Sequence, residues 1–308
     1  MVEILVEVEK IFGKSLPMAA LFGAANISEL ARVLSSQENQ PSEVIPLQPA
    51  GFLPPFFCFG AGPRFQPLAN RLGTRRPFLS LLPNTQSAQF LRLRRPYKIE
   101  DVAAYSAKII CEYQTEGPYY LGGWSGSGVV AYEIAQQLTA MGRDVGLLVL
   151  FDTKNPAYSP RVFGGEWFEA RCQKFNFFVK ELKGLQRRYM RRYIDEKITE
   201  LKRKMWVTKV RMNGGSQNKL EDIVVAALSS YQPRPYASKV MFFRPAIRPG
   251  GRVWDFSEGW KGLVRGGLEV HEIPGDHRSI FLQSNVINIA KRMGKYLAVL
   301  QYIFFIAQ

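Results

Sequence analysis

Histidine and cysteine are scarce: only His271 and His277, and only Cys58, Cys111 and Cys172, occur in 308 residues. Two imidazoles and three scattered thiols are a poor source for the ligand shell of a zinc site. An odd, widely spaced set of cysteines gives neither a disulfide framework nor a CxxC pair. No metal and no bound cofactor are expected. Missing too is any apolar run of the roughly 18 to 20 residues that span a bilayer. The tail from Leu297 to Ala307 is too short for that. Glu3, Glu7 and Glu9 interrupt the apolar residues after Met1, so no signal-peptide pattern opens the chain. A cytoplasmic protein without a membrane partner is the expectation.

Apolar residues, by contrast, make up 46% of the chain, enough for one sizeable core plus an appendage. The net charge is +15, and 14 Lys and Arg against 6 Asp and Glu lie between Gly165 and Arg211. The same stretch spaces Phe175, Phe178, Leu182, Leu185 and Tyr189, then Ile194, Ile198, Leu201 and Met205, as one or two amphipathic helices would. A solvated basic face accounts for this pattern, and a docking face for an acidic protein partner is the second reading. No nucleic-acid motif accompanies the charge, so no nucleic-acid partner is expected.

Residues 1–35 read as helix, turn, helix. Ile4, Val8 and Ile11 share a face, and Asn26-Ile27-Ser28-Glu29 resembles a capping box. Residues 36–43 read as a polar linker. From Val44 the texture changes to strands near 44–48, 55–60, 77–81, 119–124, 146–152, 238–244 and 268–273. Helices are expected near 64–72, 100–115, 127–141, 219–230 and 284–299. The continuously apolar run from Gly146 to Phe151 suits a strand covered on both faces. Such alternation predicts a three-layer α/β fold with a mostly parallel sheet. The basic block at about 160–212 interrupts it, as a lid would.

Ser125 lies in Gly122-Gly123-Trp124-Ser125-Gly126-Ser127-Gly128, between an apolar strand and a helix. A sharp turn there exposes a serine oxygen. The hydroxyl needs a base, and the base needs an orienting group. Asp152 ends the strand 146–152, at the sheet edge where Ser125 emerges. His277 follows the last strand on a loop, whereas His271 lies inside that strand and reads as a strand-face residue. Asp276 adjoins His277, but consecutive side chains rarely face each other. Ser127 is the rival nucleophile. Oxyanion donors are expected at the amide of Gly126 and at that of Gly60 or Ala61, after an early strand. Gly126 to Ala131 also fits GxGxxA, the phosphate-cradling turn of dinucleotide-binding folds. That reading leaves Ser125 and His277 without a role.

The segments GPYYLGGWSGSGVVAYEIAQQL (117–138), LLVLFDT (147–153), YQPRPYASKVMFFRP (231–245) and EVHEIPGDHRSIF (269–281) together resemble the thioesterase domains of nonribosomal peptide and polyketide synthases. The resemblance spans about 44–300. It implies an α/β-hydrolase fold with a lid at about 160–212 and a catalytic triad of Ser125, Asp152 and His277. It further implies a substrate chain presented on the phosphopantetheine arm of an acyl or peptidyl carrier domain, released by hydrolysis or cyclisation. An editing thioesterase, a general carboxylesterase and a catalytically impaired docking module are the alternatives. Residues 1–35 resemble the second half of a carrier domain without its attachment serine. Ser127 stands where the family usually has glycine, which implies strain in the turn, and the stretch Gly60 to Phe65 looks short.

Overall fold

A computed structural model describes residues 11, 31, 43–158, 219–247 and 255–306. Apart from Ile11 and Ala31, the carrier-like segment 1–35 lies outside them, as does the lid block at 160–212. Glu43, at the end of the expected linker, is tied into the fold. Its carboxylate accepts from the Asn84 amide at 2.6 Å and from the Tyr105 hydroxyl at 2.8 Å.

Seven strands form one sheet: β1 (Val44–Gln48), β2 (Phe56–Phe59), β3 (Phe78–Leu81), β4 (Tyr119–Trp124), β5 (Val145–Phe151), β6 (Val240–Pro245) and β7 (Leu268–Ile273). Their order is β1-β3-β2-β4-β5-β6-β7, with β1 antiparallel to β3 and every other pairing parallel. Helices α1 (Gln66–Arg71), α2 (Ala88–Leu91), α3 (Ile99–Tyr113), α4 (Gly126–Ala140), α5 (Leu220–Leu228) and α6 (Gln283–Ile306) alternate with them.

The period of two in the strands sorts side chains into two cores. Along β5, Leu148 and Leu150 join Phe57, Phe59 and Leu121 on the face covered by α3, α4 and α5. The intervening Leu147, Val149 and Phe151 join Phe56, Cys58 and Met241 on the face covered by α1 and α6. Both faces of β5 are therefore dry, which is why its sequence shows no polar alternation. Each fully buried Leu or Phe contributes about 1.5–3 kcal/mol. Helix α3 presents Ile99, Val102, Ala103, Ser106, Ala107 and Ile110 to the core at helical spacing. Helix α6 does the same with Val286, Ile289, Ala290, Met293 and Leu297.

Two elements differ from expectation. Helix α6 continues to Ile306 rather than ending near 299, because neither glycine nor proline, the residues that stop helices, occurs after Gly294. Helix α2, four residues capped by the Ser87 hydroxyl accepting from the Phe90 amide at 3.1 Å, is too short to show a helical period. Among the described residues, no helix is long and apolar enough to cross a membrane.

Candidate active site

Parallel strands all deliver their carboxyl ends to one edge of the sheet, and β4 and β5 end there side by side, Trp124 pairing with Phe151. Ser125 follows β4 with φ 57° and ψ −128° and caps α4. Its amide donates to the Phe151 carbonyl at 2.9 Å, and its own carbonyl accepts from the Gly128 amide at 3.1 Å. The chain can turn this tightly because two neighbours lack side chains. A Cβ on Gly123 would meet the backbone of Ser127 and Gly128, and one on Gly128 would meet Thr153. Helix α4 thus rests directly on the ends of β4 and β5.

Strain was expected at Ser127, and the backbone places it elsewhere. Ser127 already lies inside α4, and the left-handed residue of the turn is Ser125 itself. The Ser127 side chain is directed to Gly60, where a Cβ would meet its Oγ.

Asp152 follows β5 with φ 41°, its amide donating to the Phe243 carbonyl at 2.7 Å. Its Oδ2 contacts Nδ1 of His277. The His277 side chain is 44% exposed and that of Asp152 only 9%, so the imidazole reaches solvent while its partner does not. The loop carrying His277 is held by Asn285 of α6, whose Nδ2 donates to the Pro274 carbonyl at 2.6 Å and the Ser279 carbonyl at 2.9 Å. Asp276 is committed to that loop, accepting from the Arg278 amide at 3.0 Å and from the Ser279 amide at 2.8 Å. Burial pushes its carboxyl up, but the Ser279 and Arg278 donors outweigh this and hold it below the ordinary range. His271 sits on β7, buried, with Nδ1 3.0 Å from an Arg292 guanidinium nitrogen. Burial lowers its pKa, and Arg292 lowers it further.

Ser125, Gly126, Asp152 and His277 line one cavity of about 460 Å³. Val129, Leu228, Pro245 and Ile247 make its wall largely apolar, and Lys154 and Glu258 add charge. Ser127 and His271 are not in that wall. Of the expected second oxyanion donors, Gly60 gives its amide to the Leu81 carbonyl at 2.9 Å, whereas Ala61 makes only a long 3.4 Å bond to the Cys58 carbonyl. Neither lines the cavity, while Gly126 does. The described residues contain no group of three His, Cys, Asp or Glu able to hold a metal.

Glu258 was not foreseen from sequence. It is 1% exposed with φ 52°, in a loop organised by Asp255, whose carboxylate accepts from the Ser257 amide at 3.1 Å and the Gly259 amide at 3.2 Å. The loop is tied to β5 where Trp260 Nε1 donates to the Thr153 carbonyl at 2.6 Å. Among the described residues, the non-glycine positions with positive φ are Ser125, Asp152 and Glu258, and all three line the cavity. Backbone of this kind costs of order 1–3 kcal/mol per residue and clusters at functional sites.

Comparison with known proteins gives a likeness to thioesterase domains. The family model for the thioesterase domain matches residues 53–162. The chain is 27% identical, over 97% of its length, to a dimodular nonribosomal peptide synthase of Bacillus subtilis (strain 168), and spans 12% of that protein. It is 28% identical, over 54% of its length, to a non-reducing polyketide synthase of Cercospora nicotianae, and spans 8% of it. In fold it is similar to the NocB thioesterase domain, seen in a covalent complex with a fluorophosphonate nocardicin G analog, at 22% identity and a TM-score of 0.52, covering 83% of this chain and 100% of that one. The matched stretch takes in β4, α4 and β5, so over residues 53–162 the chain is similar to the thioesterase domain, and the relatives it resembles are nonribosomal peptide and polyketide synthases.

Proposed function

We propose that the chain releases acyl or peptidyl chains from a phosphopantetheine-borne thioester through an acyl-enzyme on Ser125. The observation that carries this reading is the Asp152–His277 contact in the wall that also holds Ser125. His277 Nε2 takes the Ser125 proton as Oγ attacks the thioester carbonyl carbon. Asp152, on Nδ1, keeps the imidazole in the tautomer that accepts at Nε2 and stabilises the imidazolium. The Gly126 amide, at the open amino end of α4, donates to the tetrahedral oxyanion. We assign the second donor to Ala61, since the Gly60 amide is held by Leu81. Collapse breaks the C–S bond, and the imidazolium returns the proton to the departing thiolate. Water or a hydroxyl or amine of the bound chain then attacks the ester by the same route in reverse.

The apolar wall of Val129, Leu228, Pro245 and Ile247 suits an acyl or peptidyl chain better than a small polar ester. An acidic carrier domain in a synthase assembly line is the proposed partner, with the basic stretch 165–211 as its counterpart in charge. We take residues 44–308 as the thioesterase domain and 1–35 as the carrier-like segment. A fluorophosphonate probe on the folded chain tests the reading. Labelling of Ser125, lost in Ser125→Ala and slowed in His277→Ala but not in His271→Ala, is the expected result. Absence of labelling, or labelling that survives Ser125→Ala, refutes it.

A further inference from the structure

A half-exposed imidazole held at one nitrogen by a single acceptor can still swing about that bond, so Asp152 alone does not set the plane of His277. Trp124 supplies a second restraint. Its indole stacks on the His277 ring with centroids 4.5 Å apart and planes 20° from parallel. Trp124 is also the last residue of β4 and the neighbour of Ser125, so one strand end carries both the nucleophile and the surface on which the base lies. Phe281 braces the indole edge-on at 6.1 Å. The indole Nε1 is buried and, among the described residues, has no hydrogen-bond partner. Leaving a buried N–H unpaired disfavours tryptophan. What the position draws on is therefore the ring face.

We infer that Trp124 is a positioning residue for His277, fixing the imidazole plane by contact with the indole face. The inference rests on His277 acting as the base. Arg64 meets the same indole, its guanidinium 4.1 Å from the Trp124 centroid. Replacing Trp124 therefore unseats a charge as well as removing a ring face, and Arg64→Gln is the control that separates the two.

The test is kcat and KM for a small pantetheine thioester, measured on the full chain for wild type, Trp124→Leu, Trp124→Phe and Arg64→Gln. Trp124→Leu is expected to lower kcat about 3- to 10-fold, from the magnitude of a stacked aromatic pair. KM should hold, because Trp124 is not part of the cavity wall. Trp124→Phe, which keeps a face, should recover most of kcat, and Arg64→Gln should leave it near wild type. A structural role alone would lower the urea midpoint and leave kcat of the folded enzyme in place, and that result overturns the inference. If turnover survives His277→Ala, the assignment of the base has failed. If His277→Ala abolishes turnover and Trp124→Leu leaves kcat unmoved, only the positioning role has failed.

Discussion

Replacing Gly128 by alanine separates local propensity from close packing, because the two predict opposite signs. In a helix interior, alanine is favoured over glycine by about 1 kcal/mol. Here the added Cβ would overlap Thr153 Oγ1, lie 2.8 Å from Thr153 Cγ2 and lie 2.9 Å from the Gly123 carbonyl oxygen. Ordinary carbon contacts begin near ~3.5 Å, so α4 must lift from β4 and β5 by roughly 1 Å or Thr153 must move. Thr153 has nowhere to go, being fully buried with Oγ1 directed to the Phe151 carbonyl at 3.2 Å. Overpacking of this sort costs about 1–3 kcal/mol. Two neighbours of Cβ belong to Thr153 and one is backbone, so the upper part of that range applies, and the net loss after the helix gain is about 1–2 kcal/mol. Thr153→Ala alone should cost about 1 kcal/mol in lost hydrogen bonding. The double variant, with most of the overlap removed, should lose less than the sum of the singles by at least about 1 kcal/mol. Urea unfolding of the full chain, followed by tryptophan fluorescence, measures all three. Strict additivity, or a Gly128→Ala protein as stable as wild type, would refute the account of why this turn needs glycine.

Other substitutions probe separate links. Asp152→Asn should keep the fold and reduce kcat by about 10³- to 10⁴-fold, since an amide at Nδ1 no longer selects the accepting tautomer; a loss under tenfold on pantetheine thioesters would remove Asp152 from the triad. Burial depresses the His271 pKa, so the folded state binds its proton less readily than the unfolded chain. Its contribution to stability is present above the ordinary histidine value of about 6.5 and is lost as pH falls through the folded pKa, so His271→Gln should flatten the stability profile in that window. An unchanged slope in urea midpoints from neutral pH to about 5 would count against it. Tyr231 donates to the buried Glu133 carboxylate at 2.7 Å, an oxygen otherwise shielded from water. Tyr231→Phe should therefore cost about 1–3 kcal/mol, and a neutral result by the same denaturation would mean that Gln137 and Arg234 satisfy Glu133 unaided.

Much of the fold is legible because burial leaves a period. β5 shows as an unbroken apolar run, and α3 and α6 show as apolar stripes. The order in which β1, β3 and β2 lie is not written in any local pattern, since each is a short apolar segment that fits several neighbours. Ser125, Asp152 and His277 were accessible from sequence because each stands just past a strand, and parallel strands share an edge. The choice between Gly60 and Ala61, both named for the second donor, was not. Whether Gly60 has a free amide depends on Leu81, a partner on another strand. Glu258 owes its place to the turn around Asp255, whose hydrogen bonds have no sequence period. The Trp124 stack is not legible for a related reason: both rings stand in their motifs, but nothing local says that they touch.

The left-handed backbone at Ser125, Asp152 and Glu258 has a bearing on engineering. Glycine accepts such angles freely, so at each of these positions a change to glycine relieves local discomfort. A library screened only for resistance to heat would be drawn toward the cavity wall, and its most robust members would be those that had erased it. On the roles proposed for Ser125 and Asp152, selection for durability and selection for turnover pull on those two codons in opposite directions, and a stabilisation campaign should hold them constant.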